Sequence, residues 1–423
     1  MSPVKTAPAR LTVADAALRA EYLTEVLGLL YPGASVSTGG PGPDDGPPVA
    51  EYLVVPDARR PRLLVPADSR RVAAAAVRRY AEPSSRLARL KRDAVVAALR
   101  TGASAVLLRD RVRLTGGTGD TIDAYLREVL GRQLSLSVHI GPARANRKPV
   151  LQLLTVEGAT VAFAKLGTGP LTRRLVRAEA TALTTLGKAG LRRVTVPRVM
   201  HAGQWLGHEV LVQSALPVWH PRAPLGPHRL TLAMRELATS CGVRQGPLGA
   251  SPYAAELRAR LAAVAEPDPA AGPPVAPGEG PELAAAGTAL LDRRADATLR
   301  YGAWHGDWAP WNMASLAESV LVWDWERFGT GVPLGFDAVH YELQRRIEDG
   351  QEASAAVTST IARAPELLAG FDVAPDACEL TALLYLVDLA ARYLADRQAE
   401  AGARLGVLGR WLLPVLVGRV AAL

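Results

Sequence analysis

The 423-residue chain has few cysteines, few aromatic residues and no long apolar run. Its two cysteines, Cys241 and Cys378, form no Cys-x-x-Cys pair or Cys/His cluster, which argues against a structural zinc site and a disulfide framework. No stretch approaches the ~18–20 apolar residues that cross a bilayer, and the opening residues lack the apolar segment of a signal peptide. The sequence therefore predicts a globular, cytoplasmic protein with no membrane partner.

The charge is basic and unevenly distributed. The formal net charge is +8, arginines crowd the first third of the chain, and the last quarter is acidic on balance. A basic region can bind a polyanion, but here no basic run is interleaved with stacking aromatic residues. Solvated helix faces are the preferred interpretation, and nucleic-acid binding is not expected.

Three regions of different texture follow one another along the chain, as expected for a length that favours two or three domains. Residues 1–132 have a mixed α/β pattern without a recognisable motif and form an N-terminal α/β extension of unknown role. Residues 133–216 show five strand patterns, with one helix pattern after the third strand. Residues 217–423 are mostly helical. The Pro/Gly/Ala-rich segment 266–282 within this last region is interpreted as a mobile surface loop.

The stretch AWHGDWAPWNMA at 303–314 places two groups with phosphate chemistry close together. It is expected to follow a helix and to precede a short apolar strand. Asp307 can accept a proton from a substrate hydroxyl, and the amide oxygen of Asn312 is a hard ligand suited to Mg²⁺. The apolar strand of LVWDWE then delivers Asp324, a second hard ligand. Phosphoryl transfer requires such a set, one group to orient the nucleophile and metal ions to neutralise the phosphate charge.

A cationic group precedes this stretch in the chain. Lys165 ends the third strand pattern of the middle region, and Glu179 lies in the following helix pattern. A lysine that reaches the α- and β-phosphates, fixed by a glutamate from that helix, is the arrangement kinases use.

These motifs resemble those of a known family. HGDWAPWN is similar to the HGDxxPxN motif of the aminoglycoside phosphotransferase and choline kinase family, and VWDWE followed by GVPLGFDAVH is similar to its strand-borne metal aspartate and the segment after it. The order of motifs matches over roughly 133–345. The resemblance implies an α+β, protein-kinase-like bilobal fold, with a five-stranded antiparallel N-lobe at 133–216, a helical C-lobe at 217–423 and the extension in front.

The resemblance also implies the roles of the site residues. Asp307 would be the catalytic base, Asn312 and Asp324 the Mg²⁺ ligands, and Lys165 with Glu179 the phosphate-binding pair. The donor would be ATP, or alternatively GTP, with its base bound at the backbone near Gln213, Ser214, Ala215 and Leu216. The acceptor would be a hydroxyl of a small molecule such as an aminoglycoside, a sugar or an amino alcohol.

Several neighbouring residues receive weaker assignments. His305 is expected to hold the loop, Asp337 to cap a helix or hold that loop, and Glu326 to support the metal ligands. The other histidines, His340 among them, lack ligand spacing and are interpreted as core or surface residues. Most of the tryptophans are expected to pack in the core.

Two features depart from the patterns of related enzymes. Trp308 stands where the family often has a smaller residue, so the acceptor site is expected to be reshaped. The loop PARANRKP lacks the G-x-G-x-x-G of protein kinases, and its Arg144, Arg147 and Lys148 either contact phosphate or are solvated.

Three functional hypotheses remain open from the sequence. The first is a small-molecule phosphotransferase. The second is a catalytically weak, nucleotide-binding regulatory module whose N-terminal extension binds a partner. The third, phosphorylation of protein side chains, is disfavoured because only about a dozen residues separate Asp324 from Asp337, too few for a regulatory activation segment. The sequence does not fix the oligomeric state.

Overall fold

The computed structural model of the chain describes residues 13–38, 47–80, 86–103, 108, 110–117, 119–141, 144–266, 270, 272–403 and 405–423. Within these residues the α-helices are α1 Val13–Leu30, α2 Arg70–Tyr80, α3 Arg86–Thr101, α4 Ile122–Leu130, α5 Pro170–Leu186, α6 Pro227–Thr239, α7 Pro252–Ala265, α8 Glu279–Arg293, α9 Phe336–Glu348, α10 Ala353–Ala362, α11 Ala364–Leu368, α12 Cys378–Ala395 and α13 Leu413–Ala421. The strands are β1 Ala34–Thr38, β2 Pro48–Val55, β3 Leu63–Pro66, β4 Arg111–Gly116, β5 Ser135–His139, β6 Val150–Leu154, β7 Thr160–Gly167, β8 Val194–Thr195, β9 Val199–Trp205, β10 His208–Ser214, β11 Arg244–Pro247, β12 Thr298–Trp304, β13 Met313–Ser315, β14 Val320–Val322 and β15 Gly329–Pro333.

The largest sheet has nine antiparallel strands in the order β1-β4-β2-β3-β5-β6-β7-β10-β9. Its last five strands are those predicted for the N-lobe, and the α+β class is confirmed. The sheet as a whole is larger than the five strands predicted for the N-lobe, because β3 pairs with β5 through Leu63–His139 and Leu64–Val138. Without that partner β5 would expose an unpaired edge.

One hydrophobic core spans the two parts of this sheet. Helix α4 buries Ile122 and Leu126, which share one helix face, and ends at Gly131 in the left-handed conformation. These side chains and those of Val26 and Leu30 in α1 belong to the same buried cluster as Leu151 and Leu153 of β6. The extension and the predicted N-lobe therefore share their core, while α2 and α3 pack with β2 and β3 in a second cluster.

Strand β7 and helix α5 position the cation of the site. Alternate residues of β7, among them Ala164 and Leu166, point into the shared core, so Lys165 between them points to the opposite face. Helix α5 starts at Pro170 and buries one stripe that includes Val176, Glu179 and Leu183. The chain thus places Glu179 against the face of the sheet that carries Lys165.

The second half of the chain is mainly helical and surrounds α12, whose central residues are almost all buried. The sequence predicts a helix immediately before the AWHGDWAPWNMA stretch, but the stretch begins with the last two residues of strand β12. That strand forms because TLRYGAW is buried along most of its length and pairs with both β11 and β15.

The predicted mobile loop at 266–282 is only partly described. Residues 267–269 and 271 lie outside the described residues, residues 272–278 lie at the surface, and α8 begins at Glu279. In the part of the chain that the structure describes, no helix combines the length and apolar character needed to cross a membrane.

Candidate active site

The loop after β12 makes a turn that requires glycine. Gly306 has φ +84°, and a Cβ atom at this position would lie 2.3 Å from the carbonyl oxygen of Arg327. Both the backbone conformation and the close approach exclude a side chain. The glycine of HGDWAPWN is therefore explained by its local geometry.

Two side chains from distant helices hold this turn. The Asp337 carboxylate of α9 accepts hydrogen bonds from the backbone N–H groups of His305 at 2.7 Å and Gly306 at 3.1 Å. Arg392 of α12 donates to the carbonyl oxygen of Gly306 at 2.6 Å. The prediction that Asp337 holds the loop is confirmed. Burial raises the pKa of Asp337 to about 7, although the two backbone donors lower it.

His305 is a structural member of the loop, as predicted. Its Nδ1 accepts from the backbone N–H of Asp307 at 3.1 Å, and its Nε2 lies 3.1 Å from the carbonyl oxygen of Trp323, so Nε2 carries the proton. Burial lowers its pKa to about 4. A neutral imidazole is needed here, because a protonated Nδ1 could not accept from the backbone.

Asp307 projects from this loop with about a third of its side chain exposed. Its Oδ2 accepts from Nδ2 of Asn312 at 2.9 Å, and Nε2 of His340 lies 3.2 Å from its Oδ1 without the alignment of a full hydrogen bond. Burial acts to raise the pKa of Asp307, but the nearby His340 and the charge of Arg392 outweigh it and hold the pKa below its usual value. The carboxylate is ionised at neutral pH.

His340 was not recognised from the sequence as part of the site. It is buried on α9, its Nδ1 lies 2.8 Å from the Tyr385 hydroxyl, and burial lowers its pKa. The interpretation as a core histidine is correct for its burial but missed its position against Asp307. Asp337 and His340 are three residues apart on one helix, and this spacing was the available signal.

Asn312 sits beside both predicted partners. Its Nδ2 also donates to the Asp307 carbonyl oxygen at 2.9 Å, which leaves the Oδ1 atom to bind a cation. Its backbone carbonyl accepts from Trp323, the residue before Asp324, because the β13–β14 hairpin places the two segments side by side. The structure therefore brings Asn312 next to Asp307 and to the segment that carries Asp324.

Lys165 joins the two remaining predicted residues. Its Nζ donates to Oε1 of Glu179 at 2.6 Å and to Oδ1 of Asp324 at 2.7 Å, and only 6% of the residue is exposed. Burial lowers the pKa of Lys165, but the two carboxylates outweigh this effect and raise it, so the lysine is charged. Residues far apart in the sequence thus meet at one ammonium group.

Asp324 has an unusual backbone for a non-glycine residue, with φ 74° and ψ 54°. Strain of this kind is often found at functional sites. One oxygen from each of Asp324, Glu179 and Glu326 lies within 4.8 Å of the others. Three carboxylates at this spacing are a hard-oxygen set that fits Mg²⁺. Burial would raise the pKa of Asp324, but Lys165 and Lys148 outweigh it and hold it well below the usual range.

The predicted base-binding segment lies at the end of β10. Gln213 is two residues beyond Leu211, which pairs in register with Lys165, so both glutamine and lysine face the same side of the sheet. The backbone N–H groups of Ser214 and Ala215 are used within the chain, by the carbonyl oxygens of Arg198 and Val161. The next N–H along the chain is that of Leu216. The Oε1 atom of Gln213 is buried and has no hydrogen-bond partner among the described residues.

The tryptophans around the loop differ in exposure. Trp308 and Trp325 are completely buried, and Trp308 donates to the Met313 sulfur at 3.3 Å, so it packs beneath the loop. Trp311 is 41% exposed. The prediction that most of these residues pack in the core is confirmed, and Trp311 is the one that faces solvent.

Comparisons with known proteins give a likeness in structure only. No family model matches the chain, and no curated protein matches it. Matching solved structures include aminoglycoside phosphotransferase APH(4)-Ia (15% identity, TM-score 0.43, 71% of this chain and 98% of that chain) and a spectinomycin phosphotransferase bound to ADP and spectinomycin (13%, 0.40, 71% and 98%). A candidate fructosamine-3-kinase from Haemophilus somnus also matches (14%, 0.42, 71% and 96%). The TM-scores lie below 0.5, so the likeness carries no weight for the activity or substrate of this chain.

Proposed function

We propose that the chain is an ATP-dependent phosphotransferase that moves the γ-phosphate to a hydroxyl of a small molecule. The observation that carries this proposal is the contact of Lys165 with both Glu179 and Asp324, at 2.6 and 2.7 Å. A buried lysine between two carboxylates is costly as a purely structural element. It is suited to a site where an anionic ligand and a cation enter together.

The donor side of the site has a group for each part of a nucleotide. Lys165, fixed by Glu179, would bind the phosphates. Asp324 and Asn312, with Glu326 nearby, would hold Mg²⁺, which when bound neutralises phosphate charge. The N–H of Leu216 and the buried Oε1 of Gln213 would bind the base. An acceptor oxygen at Gln213 suits the amino group of adenine better than the carbonyl of guanine, which favours ATP over GTP.

Asp307 would orient the acceptor hydroxyl. Its carboxylate is ionised and part-exposed, and Asn312 holds one oxygen while His340 borders the other. A carboxylate with a low pKa is a weak base, so its main contribution would be to position the hydroxyl for attack. This is sufficient in phosphoryl transfer, where positioning and charge stabilisation account for most of the rate.

The acceptor is proposed to be a small molecule. The segment between Asp324 and Asp337 contains a short 3₁₀ turn and β15, which pairs with β12. This leaves no free activation segment to dock a peptide. Trp311, exposed in the loop of Asp307, is the aromatic side chain best placed to contact the acceptor. The acidic balance of the last quarter of the chain favours a cationic acceptor such as an aminoglycoside or an amino alcohol.

The first prediction concerns the metal. ATP consumption should be measured with aminoglycosides, macrolides, hexoses and amino alcohols, each with and without Mg²⁺. We expect consumption that depends on one acceptor class and on Mg²⁺. Asp324→Ala should lower it by about 100-fold or more because the metal loses a ligand. Asp376→Asn, which changes an exposed carboxylate elsewhere, should match the wild type. Normal Mg²⁺-dependent turnover in Asp324→Ala would contradict the proposal.

A further inference from the structure

The loop between β5 and β6 makes a contact across the site that the proposed function does not use. The side chains of Asn146 and Lys148 both reach Glu326, which lies two residues after Asp324. Nδ2 of Asn146 donates to Oε1 of Glu326 at 2.8 Å, and Nζ of Lys148 forms an ion pair with Oε2. The lysine and glutamate side chains are only 7% and 3% exposed. The loop of the first half of the chain is therefore tied to the carboxylate region of the second half.

Lys148 lies on the same face of the sheet as Lys165. It precedes Val150 by two residues, and Val150 pairs in register with Lys165. Side chains alternate along an extended chain, so both lysines project toward the carboxylates. The charge of Lys148 also contributes to the low pKa of Asp324. Two ammonium groups thus share three carboxylates, those of Glu179, Asp324 and Glu326.

An ion pair that served only to join the two halves of the chain would not need to lie beside Asp324 and Glu179. A buried ion pair gives little net stability, because desolvation offsets most of the attraction. One Glu326 oxygen also lies within 4.8 Å of one oxygen each of Asp324 and Glu179, so Lys148 is held where phosphate and metal would meet. The sequence left open whether Lys148 contacts phosphate or is solvated, and its burial excludes the solvated alternative.

We propose that Lys148 is a second phosphate-binding lysine, which Glu326 holds in the absence of nucleotide and releases when a nucleotide and its cation bind. Binding exchanges partners: Lys148 moves from the Glu326 carboxylate to a phosphate oxygen, and Glu326 turns to the cation. The inference rests on the proposed function, since it assigns Lys148 and Glu326 to the nucleotide of that reaction.

Ligands that differ in phosphate count distinguish phosphate binding by Lys148 from a general effect of its substitution on ligand binding. Dissociation constants should be measured with Mg²⁺ for adenosine, AMP, ADP and a non-hydrolysable ATP analogue. Lys148→Met should weaken ADP and the ATP analogue by about tenfold or more and leave adenosine unchanged. Lys148→Arg should recover most of the loss. Lys188→Met, which alters an exposed lysine at the end of α5, should bind every ligand like the wild type. An equal loss for adenosine, or no loss for ADP, would overturn the proposal.

Glu326→Gln tests the exchange of partners itself, and it provides a second test if Lys148→Met does not fold. Without Mg²⁺ this variant should bind ADP more tightly than the wild type, because Lys148 is no longer held. With Mg²⁺ its gain in affinity should be smaller. The double variant with Lys148→Met should lose the Mg²⁺-free gain. If the gain persists there, it comes from reduced repulsion alone and the exchange is disproved.

The outcomes also distinguish this inference from the proposed function. If the wild type binds no nucleotide in the series, both fail. If it binds Mg²⁺-ADP and loses that binding in Asp324→Ala but not in Lys148→Met, only the role of Lys148 fails. If Glu326→Gln lowers the melting temperature but leaves the Mg²⁺ dependence of ADP binding unchanged, the ion pair has only a structural role and the exchange is rejected.

Discussion

At the scale of single residues, the loop that carries Asp307 depends on groups that stay in one protonation state. His305 must remain neutral, since its Nδ1 accepts from the Asp307 backbone and its Nε2 faces a carbonyl oxygen. Asp307 must remain ionised to receive a hydroxyl. Burial lowers the pKa of His305 and keeps it neutral, whereas His340 and Arg392 lower the pKa of Asp307 and keep it ionised.

The second prediction follows from the pKa of His305. The folded-state pKa is about 4 against an ordinary value of 6.5, so folding favours the neutral form. Its contribution to stability is complete above the unfolded-state pKa and is lost as the pH falls from 6.5 toward 4, by about 3 kcal/mol in total. The free energy of unfolding, measured in urea between pH 7.5 and 4.5, should therefore decrease less in His305→Gln than in the wild type. The exposed His228→Gln is the control, and equal pH profiles for all three proteins would show that His305 is not responsible.

At the scale of elements, the loop between β12 and β13 is shaped by one backbone conformation and by contacts from two helices. Asp337 of α9 and Arg392 of α12 hold Gly306 from both sides of its peptide groups. The adjacent β13–β14 hairpin then aligns Asn312 with the segment of Asp324. The site therefore depends on how these elements pack as much as on its own residues.

The third prediction compares two glycines in the same conformation. Gly306 and Gly242 have φ +84° and +86°, but only at Gly306 would a Cβ atom collide with the backbone, whereas nothing lies within 4 Å at Gly242. Gly242→Ala should lose about 1–2 kcal/mol from left-handed strain alone. Gly306→Ala should lose several kcal/mol more, because Arg327 or the loop must move. Urea unfolding checks the order, and equal losses would mean that the loop adapts freely.

The local parts of the site could be predicted from the sequence, and the distant contacts could not. Asp307 and Asn312 belong to one short motif, and Lys165 follows a strand pattern, so their chemistry is visible in the residues themselves. Arg392 lies far in sequence from Gly306, and Lys148 lies far from Glu326, although each pair is in contact. Neither Arg392 nor Lys148 belongs to a motif, so their roles are visible only once the chain is packed. The nine-stranded sheet was missed for the same reason, since the edge at which β3 meets β5 is not marked by any local pattern.

At the scale of the whole molecule, the extension is a structural part of the large sheet and its core. Strand β3 covers the edge of β5, and α1 and α4 cover a face formed by strands from both regions. We therefore expect residues 1–132 to stabilise the predicted N-lobe. The division into an extension and two lobes stays a prediction of separate folding units. The large sheet runs across the predicted boundary at residue 132.

The fourth prediction tests this dependence. A chain that begins at residue 133 should be insoluble or fail to unfold cooperatively, because β5 gains an exposed edge and the core loses two helices. A milder variant, Leu126→Ala at a fully buried position of α4, should lose about 2–5 kcal/mol. Glu128→Ala, on the exposed side of the same helix, should change little. A soluble truncated chain with the unfolding midpoint of the full chain would show that the extension is an independent unit.

The most direct test of the central claim is the appearance of a phosphorylated acceptor. The fifth prediction is that the wild type, incubated with Mg²⁺-ATP and the acceptor that stimulates ATP consumption, yields an acceptor heavier by one phosphate group in mass spectrometry. Asp307→Asn should bind Mg²⁺-ATP normally and form the product about 100- to 10,000-fold more slowly, because the hydroxyl is no longer oriented by a carboxylate. Product formation at the wild-type rate in Asp307→Asn, or nucleotide binding without product for every acceptor, would contradict the account.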